Sequence, residues 1–176
     1  QLYDNIQRQT ARQSKLLAEF IEAYSVEEDE EKRKKILGKI VVIGAYIKRR
    51  SNLILIAEQT VKISIRELEL CLRETIKNLE WNHVEAGFST YVDEIRSEDA
   101  MKIYDFFEAV IEESLEDLSA FMLYLKRADE GIIVSMSVDC KTNLQEIAGR
   151  CGAHAEQDFD GAWLLSLTLK GGDDEC

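Results

Sequence analysis

The sequence predicts an α+β protein in which a long antiparallel helical hairpin precedes a two-layer α/β sandwich, with helices packed on one face of a mixed sheet. Apolar residues recur at helical spacing through most of the first 60 residues. After residue 60, short alternating segments typical of strands are interleaved with further helical segments. The chain has 176 residues, of which 45% are hydrophobic, so it is long enough to bury this much structure.

The first helix is predicted in the opening segment, QLYDNIQRQTARQSKLLAEFIEAY, where Leu16, Leu17, Phe20 and Ile21 follow helical spacing. No capping residue precedes Gln1, so we expect the natural protein to continue N-terminally, with room there for a membrane anchor. The segment SVEEDEEKRKK carries no apolar core residues beyond its first valine and predicts a solvated turn.

The second helix is predicted over about residues 30–59, with one apolar residue every three or four positions. This seam consists of Ile36, Ile40, Ile43, Ile47 and Ile54. Arg50 falls in the same register, and we expect its side chain to reach solvent at the edge of the bundle. Because a two-helix hairpin cannot cover its own apolar stripe, we expect residues 1–60 to form a homodimer through a four-helix bundle.

Residues 61–176 predict the sandwich. TVKISI alternates like a strand, and Ser64 with Glu67 forms a capping box for a helix that continues to about Leu79. VEAGFSTYVDE is rich in strand-forming residues, and Ser97 is expected to begin the next helix.

The C-terminal third of the chain predicts a β-hairpin, a short helix and a last strand. FMLYLKR and GIIVSMSVD are strands joined by ADEG, where Gly131 suits the turn. Thr142 with Gln145 forms a second capping box, and GAWLLSLTLKGG supplies the final strand. The resulting order favours a mixed sheet rather than a purely parallel one.

Charge and composition exclude several functional classes. With 34 acidic and 22 basic residues the net charge is −12, so nucleic acid is an unsuitable partner. No apolar run approaches the length of roughly 18 residues that crosses a bilayer, so we expect no membrane contact by this fragment and a cytoplasmic location. Four scattered cysteines without a C-x-x-C pair indicate reduced thiols and no metal site; they are Cys71, Cys140, Cys151 and Cys176.

Two segments carry a resemblance to a known family. IYDFFEAVIEESLEDLSAFMLYLKRADEGIIVSMSVDC is similar to the Asn-box helix, hairpin and Asp-box strand of bacterial sensor histidine kinases. CGAHAEQDFDGAWLLSLTLKGG is similar to their closing glycine box and last strand. The chain therefore resembles a degenerate transmitter region: residues 1–60 correspond to the dimerisation and phosphotransfer hairpin, and residues 61–176 to the GHKL-type ATPase domain.

The resemblance implies a site for ATP and Mg²⁺ formed by Glu108, Glu112 and Asp139. Glu112 falls where the family has its metal-binding Asn, and it offers acceptors but no amide donor. Asp139 falls where the family contacts adenine, yet DCKTNL lacks the glycines that let a backbone approach phosphates. We therefore expect a remnant nucleotide site that binds ATP and Mg²⁺ weakly or not at all, without a dedicated metal site.

The hairpin also departs from the family at the phosphoacceptor, because residues 1–60 contain no histidine. TARQSKLL resembles the box around that histidine and puts Lys15 at the reactive position, where a protonated amine cannot carry a phosphoryl group. His83 and His154 lie in the sandwich and are expected to be surface residues. No P-loop, G-x-S-x-G or H-E-x-x-H motif points to another enzyme class.

The resemblance implies a protein of two-component signal transduction, and three hypotheses for its activity remain open. The first is a homodimeric pseudokinase whose histidine kinase activity is lost or altered, acting on a response regulator or a partner kinase. The second is a divergent active kinase that phosphorylates a histidine of another chain. The third is a phosphotransfer or docking protein similar to the sporulation phosphotransferase, which does use a hairpin histidine.

Overall fold

The computed structural model describes residues 1–171. The hairpin is formed by α1 (Leu2–Val26) and α2 (Glu30–Ala57). Asp29 begins α2 as its N-cap, because its carboxylate accepts a hydrogen bond from the backbone N–H of Lys32 at 2.9 Å. The predicted hairpin is thus confirmed, with α2 ending two residues earlier than expected.

The sandwich contains three helices and seven strands within the described residues. Its first half comprises β1 (Lys62–Ser64), α3 (Ile65–Trp81), β2 (Glu85–Thr90), β3 (Glu94–Arg96) and α4 (Ser97–Ser114). Its second half comprises β4 (Ala120–Ala128), β5 (Gly131–Asp139), α5 (Gln145–Arg150), β6 (His154–Gln157) and β7 (Trp163–Lys170). The short strands β3 and β6 are additions to the predicted order.

The main sheet has the order β2-β4-β5-β7-β6. Strands β2 and β4 run parallel, whereas the other neighbours are antiparallel, so the predicted mixed sheet is confirmed. Strands β1 and β3 form a separate two-stranded sheet. Gly131 opens β5 with φ 139°, and a Cβ there would lie 2.0 Å from a backbone oxygen of β7, so the hairpin turn requires glycine.

Two predicted helix caps are wrong. The Ser97 hydroxyl donates to the carbonyls of Thr60 and Val61 instead of capping α4. The Thr142 hydroxyl donates to the Asp117 carboxylate, and α5 begins three residues later. In both places a tertiary contact takes the side chain that local spacing had assigned to a helix end.

The hairpin packs onto its own sandwich. Helix α2 lies against α3 and α4, and a chain of aromatic rings connects it to the sheet. Tyr46 in α2 lies 5.3 Å from Tyr104, Tyr104 lies 6.2 Å from Phe107, and Phe107 lies 5.4 Å from Phe121 in β4, measured between ring centroids. The two regions therefore share one hydrophobic core. The domain boundary at residue 60 stays a prediction.

This packing changes the predicted role of the α2 seam. Ile43 and Ile54 are buried within the chain, while Ile36, Ile40 and Ile47 are only partly covered. The expectation that Arg50 reaches solvent at the bundle edge is wrong. Arg50 is 7% exposed, because it pairs with Asp105 of α4.

Two expectations concern cysteines and membranes. Within residues 1–171, Cys71, Cys140 and Cys151 are free thiols. Cys176 lies outside the described residues. Among the helices of residues 1–171, none combines the length and the apolar character needed to cross a bilayer.

Candidate functional site

The candidate site is a row of four carboxylates along one face of α4 and the turn that follows it. The row consists of Asp105, Glu108, Glu112 and Glu116. Their spacing of three, four and four residues brings them onto the same side of the helix. That side faces the hairpin, and we call these four residues the acidic row.

The acidic row begins with a half-buried ion pair, in which Arg50 is buried and Asp105 is partly exposed. Arg50 donates from Nε to Oδ1 of Asp105 at 2.7 Å and from Nη2 to Oδ2 at 3.2 Å. The Tyr46 hydroxyl donates to the same Oδ1 at 2.8 Å. Burial lowers the pKa of Arg50, but the bonds to Asp105 outweigh it and the net pKa is raised. Asp105 therefore fixes the middle of α2 to α4.

Two further pairs join the hairpin to the far end of the acidic row. Arg12 of α1 lies 3.2 Å from Oε2 of Glu112, whose side chain is only 14% exposed. Lys39 of α2 lies 2.7 Å from Oε1 of Glu116, which is 69% exposed. Each pair has one shielded member: the carboxylate of Glu112 in the first, beside an Arg12 that is 71% exposed, and Lys39 at 25% exposed in the second.

Glu108 is the unusual member of the acidic row, because it is 1% exposed and neither carboxyl oxygen has a hydrogen-bond partner within residues 1–171. Burial raises its pKa well above the ordinary value, and the charges of Glu112 and Asp105 add to that rise, while Arg12 opposes it. Burial also raises the pKa of Glu112, again opposed by Arg12. Burial therefore favours the protonated, uncharged form of Glu108.

The structure does not bring the three predicted nucleotide residues together. Glu108 and Glu112 lie between α4 and the hairpin. Asp139 is the last residue of β5 and pairs with Ala120 of β4. Side chains alternate between the two faces of a strand, so Asp139 lies on the same face as Ser135 and Ser137, while the residues between them are buried under the helices. Its side chain therefore points to the open face of the sheet, where it lines a cavity of about 230 Å³.

The cavity beside Glu112 is small and lies between the hairpin and α4. It has a volume of about 160 Å³, and its lining includes Arg12, Leu16 and Phe20 of α1 and Val42 of α2. Small-molecule sites usually span roughly 300–1,000 Å³. In this arrangement Glu112, the residue that the resemblance places at the family's Asn, pairs with Arg12 of α1 beside a cavity smaller than this range.

The other singled-out residues lie apart from the acidic row. Lys15 is exposed on α1. His83 follows α3 and takes a left-handed conformation with φ 63°. His154 is exposed in β6, with Nε2 3.7 Å from Glu156.

Sequence reasoning identified Glu108 and Glu112 but missed Asp105, Arg12 and Lys39. A signal was available. Basic residues recur along the predicted hairpin, at Arg12, Lys39 and Arg50, and acidic residues recur along one face of α4. That opposition of charge points to contact between the two elements.

No family model matches the chain, and no curated protein matches its sequence. Solved structures do match. The chain is similar to a bacterial phosphotransferase, with TM-score 0.50, 8% identity, and coverage of 94% of this chain and 92% of that one. The predicted histidine-kinase-like fold is confirmed. At this identity the likeness concerns the fold alone.

Two histidine kinases also match with lower scores. The chain is similar to the Acinetobacter baumannii histidine kinase AdeS, with TM-score 0.44, 10% identity, and coverage of 90% of this chain and 96% of that one. It is also similar to the histidine kinase domain of the Erythrobacter litoralis blue-light activated kinase EL346, with TM-score 0.42, 11% identity, and coverage of 89% of this chain and 92% of that one.

Proposed function

We propose that the protein is a cytoplasmic, histidine-kinase-like signalling module of a bacterial two-component system that has lost its own kinase activity. Residues 1–60 dimerise, and residues 61–176 keep the ATPase fold as a scaffold. The module passes a conformational signal to a response regulator or to a partner kinase. Because the hairpin and the sandwich share a core, a shift of the hairpin against α4 is a natural carrier of that signal.

The observation that carries this proposal is the contact between Arg12 and Glu112 at 3.2 Å. By the family resemblance, Glu112 falls at the position where histidine kinases hold Mg²⁺ and phosphate. Glu108 and Glu112 would also add negative charge beside a triphosphate, which opposes binding when no metal screens it. Asp139, on the other face of the sheet, is too isolated to complete a pocket with them.

The missing phosphoacceptor supports the same conclusion. The hairpin offers no imidazole, and Lys15 is protonated at neutral pH. Incubation with labelled ATP and Mg²⁺ should therefore leave no acid-labile phosphate on the chain. Labelling of His83 or His154 would contradict the proposal.

Nucleotide binding is tested separately by thermal shift with ATP, ADP and adenosine, each with and without Mg²⁺. The proposal predicts no Mg²⁺-dependent shift that requires Asp139 or Glu112. A large Mg²⁺-dependent ATP shift that disappears in Asp139→Ala or Glu112→Ala would instead favour a divergent active kinase, acting on a histidine of another chain. Lys141→Ala, an exposed change just after Asp139, serves as the matched control.

A phosphotransferase-like docking protein is the second candidate, and the likeness to the bacterial phosphotransferase over nearly the full length of both chains favours it. Such a protein must carry the phosphoryl group itself, and only His83 and His154 offer an imidazole. Transfer of label from a phosphorylated response regulator to this chain, abolished by changing one of these histidines, would support this candidate. Binding of the regulator without transfer would support the scaffold.

A further inference from the structure

A cavity of about 580 Å³ opens between the start of α2, the end of α3 and the turn after α4. This volume is within the range of roughly 300–1,000 Å³ that is usual for small-molecule sites. We call it the basic cleft, and the side chains that characterise it are Lys34, Lys35, Lys39, Trp81, Asn82 and His83. Val84 and Leu118 supply an apolar floor, since both are largely buried.

The basic cleft carries three lysines beside two carboxylates, Glu31 and Glu116, in a chain whose net charge is −12. Two of its lysines are in ion pairs: Lys34 lies 3.3 Å from Glu31, and Lys39 lies 2.7 Å from Glu116. The Lys34 pair is exposed at both ends and therefore weak, so a polyanion can compete for Lys34. Lys39 is 25% exposed and also lies over the Phe20 ring, so its pair with the 69% exposed Glu116 is the firmer of the two. Lys35 has no ion pair within residues 1–171 and is available to a ligand.

An aromatic side chain forms one wall of the basic cleft. Trp81 is 88% exposed, although tryptophan is highly buried on average in folded proteins. The backbone after it is fixed, because the N–H groups of Asn82 and Val84 both donate to the carbonyl of Leu79 at 3.0 Å. This turn holds the Trp81 indole and the His83 imidazole beside the lysines instead of inside the core.

We propose that the basic cleft binds a nucleoside phosphate, with the phosphates against Lys34, Lys35 and Lys39 and the base stacked on Trp81. Lysine ammonium groups provide mobile donors for phosphate, and an exposed indole stacks on any base. The site is separate from the pair of Glu112 and Arg12, which lines a different cavity, although Lys39 borders both. The proposed scaffold does not depend on it, so this inference goes beyond the proposed function.

Calorimetric titration of the whole chain with ATP, ADP, adenosine and tripolyphosphate tests the inference. The affinity should fall in the order ATP, ADP, adenosine, and tripolyphosphate should bind more weakly than ATP because it lacks the base. No heat of binding for ATP at millimolar concentration would overturn the proposal. Equal affinity for ATP and tripolyphosphate would also overturn it, since the ring would then not be recognised.

Two variants locate the site. Lys35→Glu should weaken ATP binding by about tenfold or more. Gly38→Leu should block the cleft, because a Cβ at Gly38 meets nothing within 4 Å and the larger side chain fits without disturbing the helix. Lys126→Glu, the same charge reversal at an exposed position on β4, should leave the affinity unchanged. Binding that survives both cleft variants would overturn the proposal.

Fluorescence gives an independent readout, because the chain has two tryptophans and only Trp81 is exposed; Trp163 is 6% exposed. Saturating ATP should protect Trp81 from quenching by acrylamide, a neutral quencher that does not compete for the lysines. Trp81→Phe should remove the protection and weaken ATP more than tripolyphosphate. Unchanged quenching in the presence of bound ATP would contradict stacking on Trp81.

Discussion

At the scale of single residues, Glu108 is the side chain whose environment is least favourable to its charge. It is 1% exposed, lies on the same helix face as Asp105 and Glu112, and has Arg12 as the cation that acts on it from the hairpin. A carboxyl group in such surroundings keeps its proton above its ordinary pKa. Burial of Glu108 beneath the docked hairpin therefore favours its protonated form, while Arg12 of the same hairpin opposes this.

The first prediction concerns the pH dependence of stability. The unfolded chain releases the Glu108 proton near pH 4.5, whereas the folded chain retains it, so the stabilisation is complete below that pH and is lost as pH rises toward the folded pKa. Glu108→Gln should abolish this loss, which amounts to at most about 1.4 kcal/mol per pH unit. Urea unfolding between pH 5 and 8 measures it. If the free energy of unfolding changes with pH in the same way for the wild type, Glu108→Gln and the exposed control Glu113→Gln, the prediction is contradicted.

The second prediction concerns the buried cation. Asp105→Ala leaves Arg50 and the Tyr46 hydroxyl without their shared acceptor. Removing one partner of a fully buried pair costs roughly 3–5 kcal/mol, and we expect about 2 kcal/mol here because the Asp105 side chain is 43% exposed. Chemical unfolding gives the value. Glu31→Ala, which removes an exposed pair, should change the free energy of unfolding by less than about 1 kcal/mol; a similar loss in both variants would refute the idea.

At the scale of elements, periodicity was a good guide where each element is long. The hairpin, α4, β4 and β5 were predicted mainly from spacing, because each repeats its pattern over many residues, and α3 was predicted from the capping box that begins it. The strands β3 and β6, of three and four residues, carry too little pattern to be recognised. The caps at Ser97 and Thr142 failed because their hydroxyls bond to groups far along the chain.

Only part of the candidate site could be predicted from the sequence, because its other residues come from distant parts of the chain. Spacing within α4 and the family resemblance indicated Glu108 and Glu112. The residue that meets Glu112, Arg12, lies 100 positions earlier in the chain, and no local pattern specifies such a contact. The face of the sheet that Asp139 occupies depends on the register of β5 with β4, and a shift of one residue would reverse it.

The third prediction concerns the docking of the hairpin. Arg12→Glu combined with Lys39→Glu places like charges opposite Glu112 and Glu116, and should make local opening easier by roughly 1 kcal/mol, or about fivefold. Hydrogen exchange should then accelerate in α1 and the first half of α2, with the sheet unchanged. Lys15→Glu, on the exposed side of α1, is the control. Uniform acceleration across the chain would mean that the hairpin does not open as a unit.

At the scale of the whole molecule, the hairpin has two different faces. One face of α2 is buried against its own sandwich through Val42, Tyr46 and Leu53. The opposite face keeps apolar side chains in solvent, with Leu37 44% and Val41 37% exposed. The face available to a second copy is therefore narrower than the seam read from the sequence, and it is centred on different residues.

The last prediction is that this outer face forms the homodimer. Two copies of the hairpin that pair through it would make a four-helix bundle and would cover Leu37 and Val41, together with Ile21 of α1, which is 52% exposed. Light scattering at a protein concentration on the order of tens of micromolar should give a mass twice that of the 20.2 kDa chain. Leu37→Glu with Val41→Glu should give the monomer mass, because burying two carboxylates across the interface is costly. Leu70→Glu, an equally exposed leucine on α3, should remain dimeric. A wild-type chain that is monomeric at this concentration would refute dimerisation through residues 1–60, and dissociation by Leu70→Glu alone would place the interface on the sandwich instead.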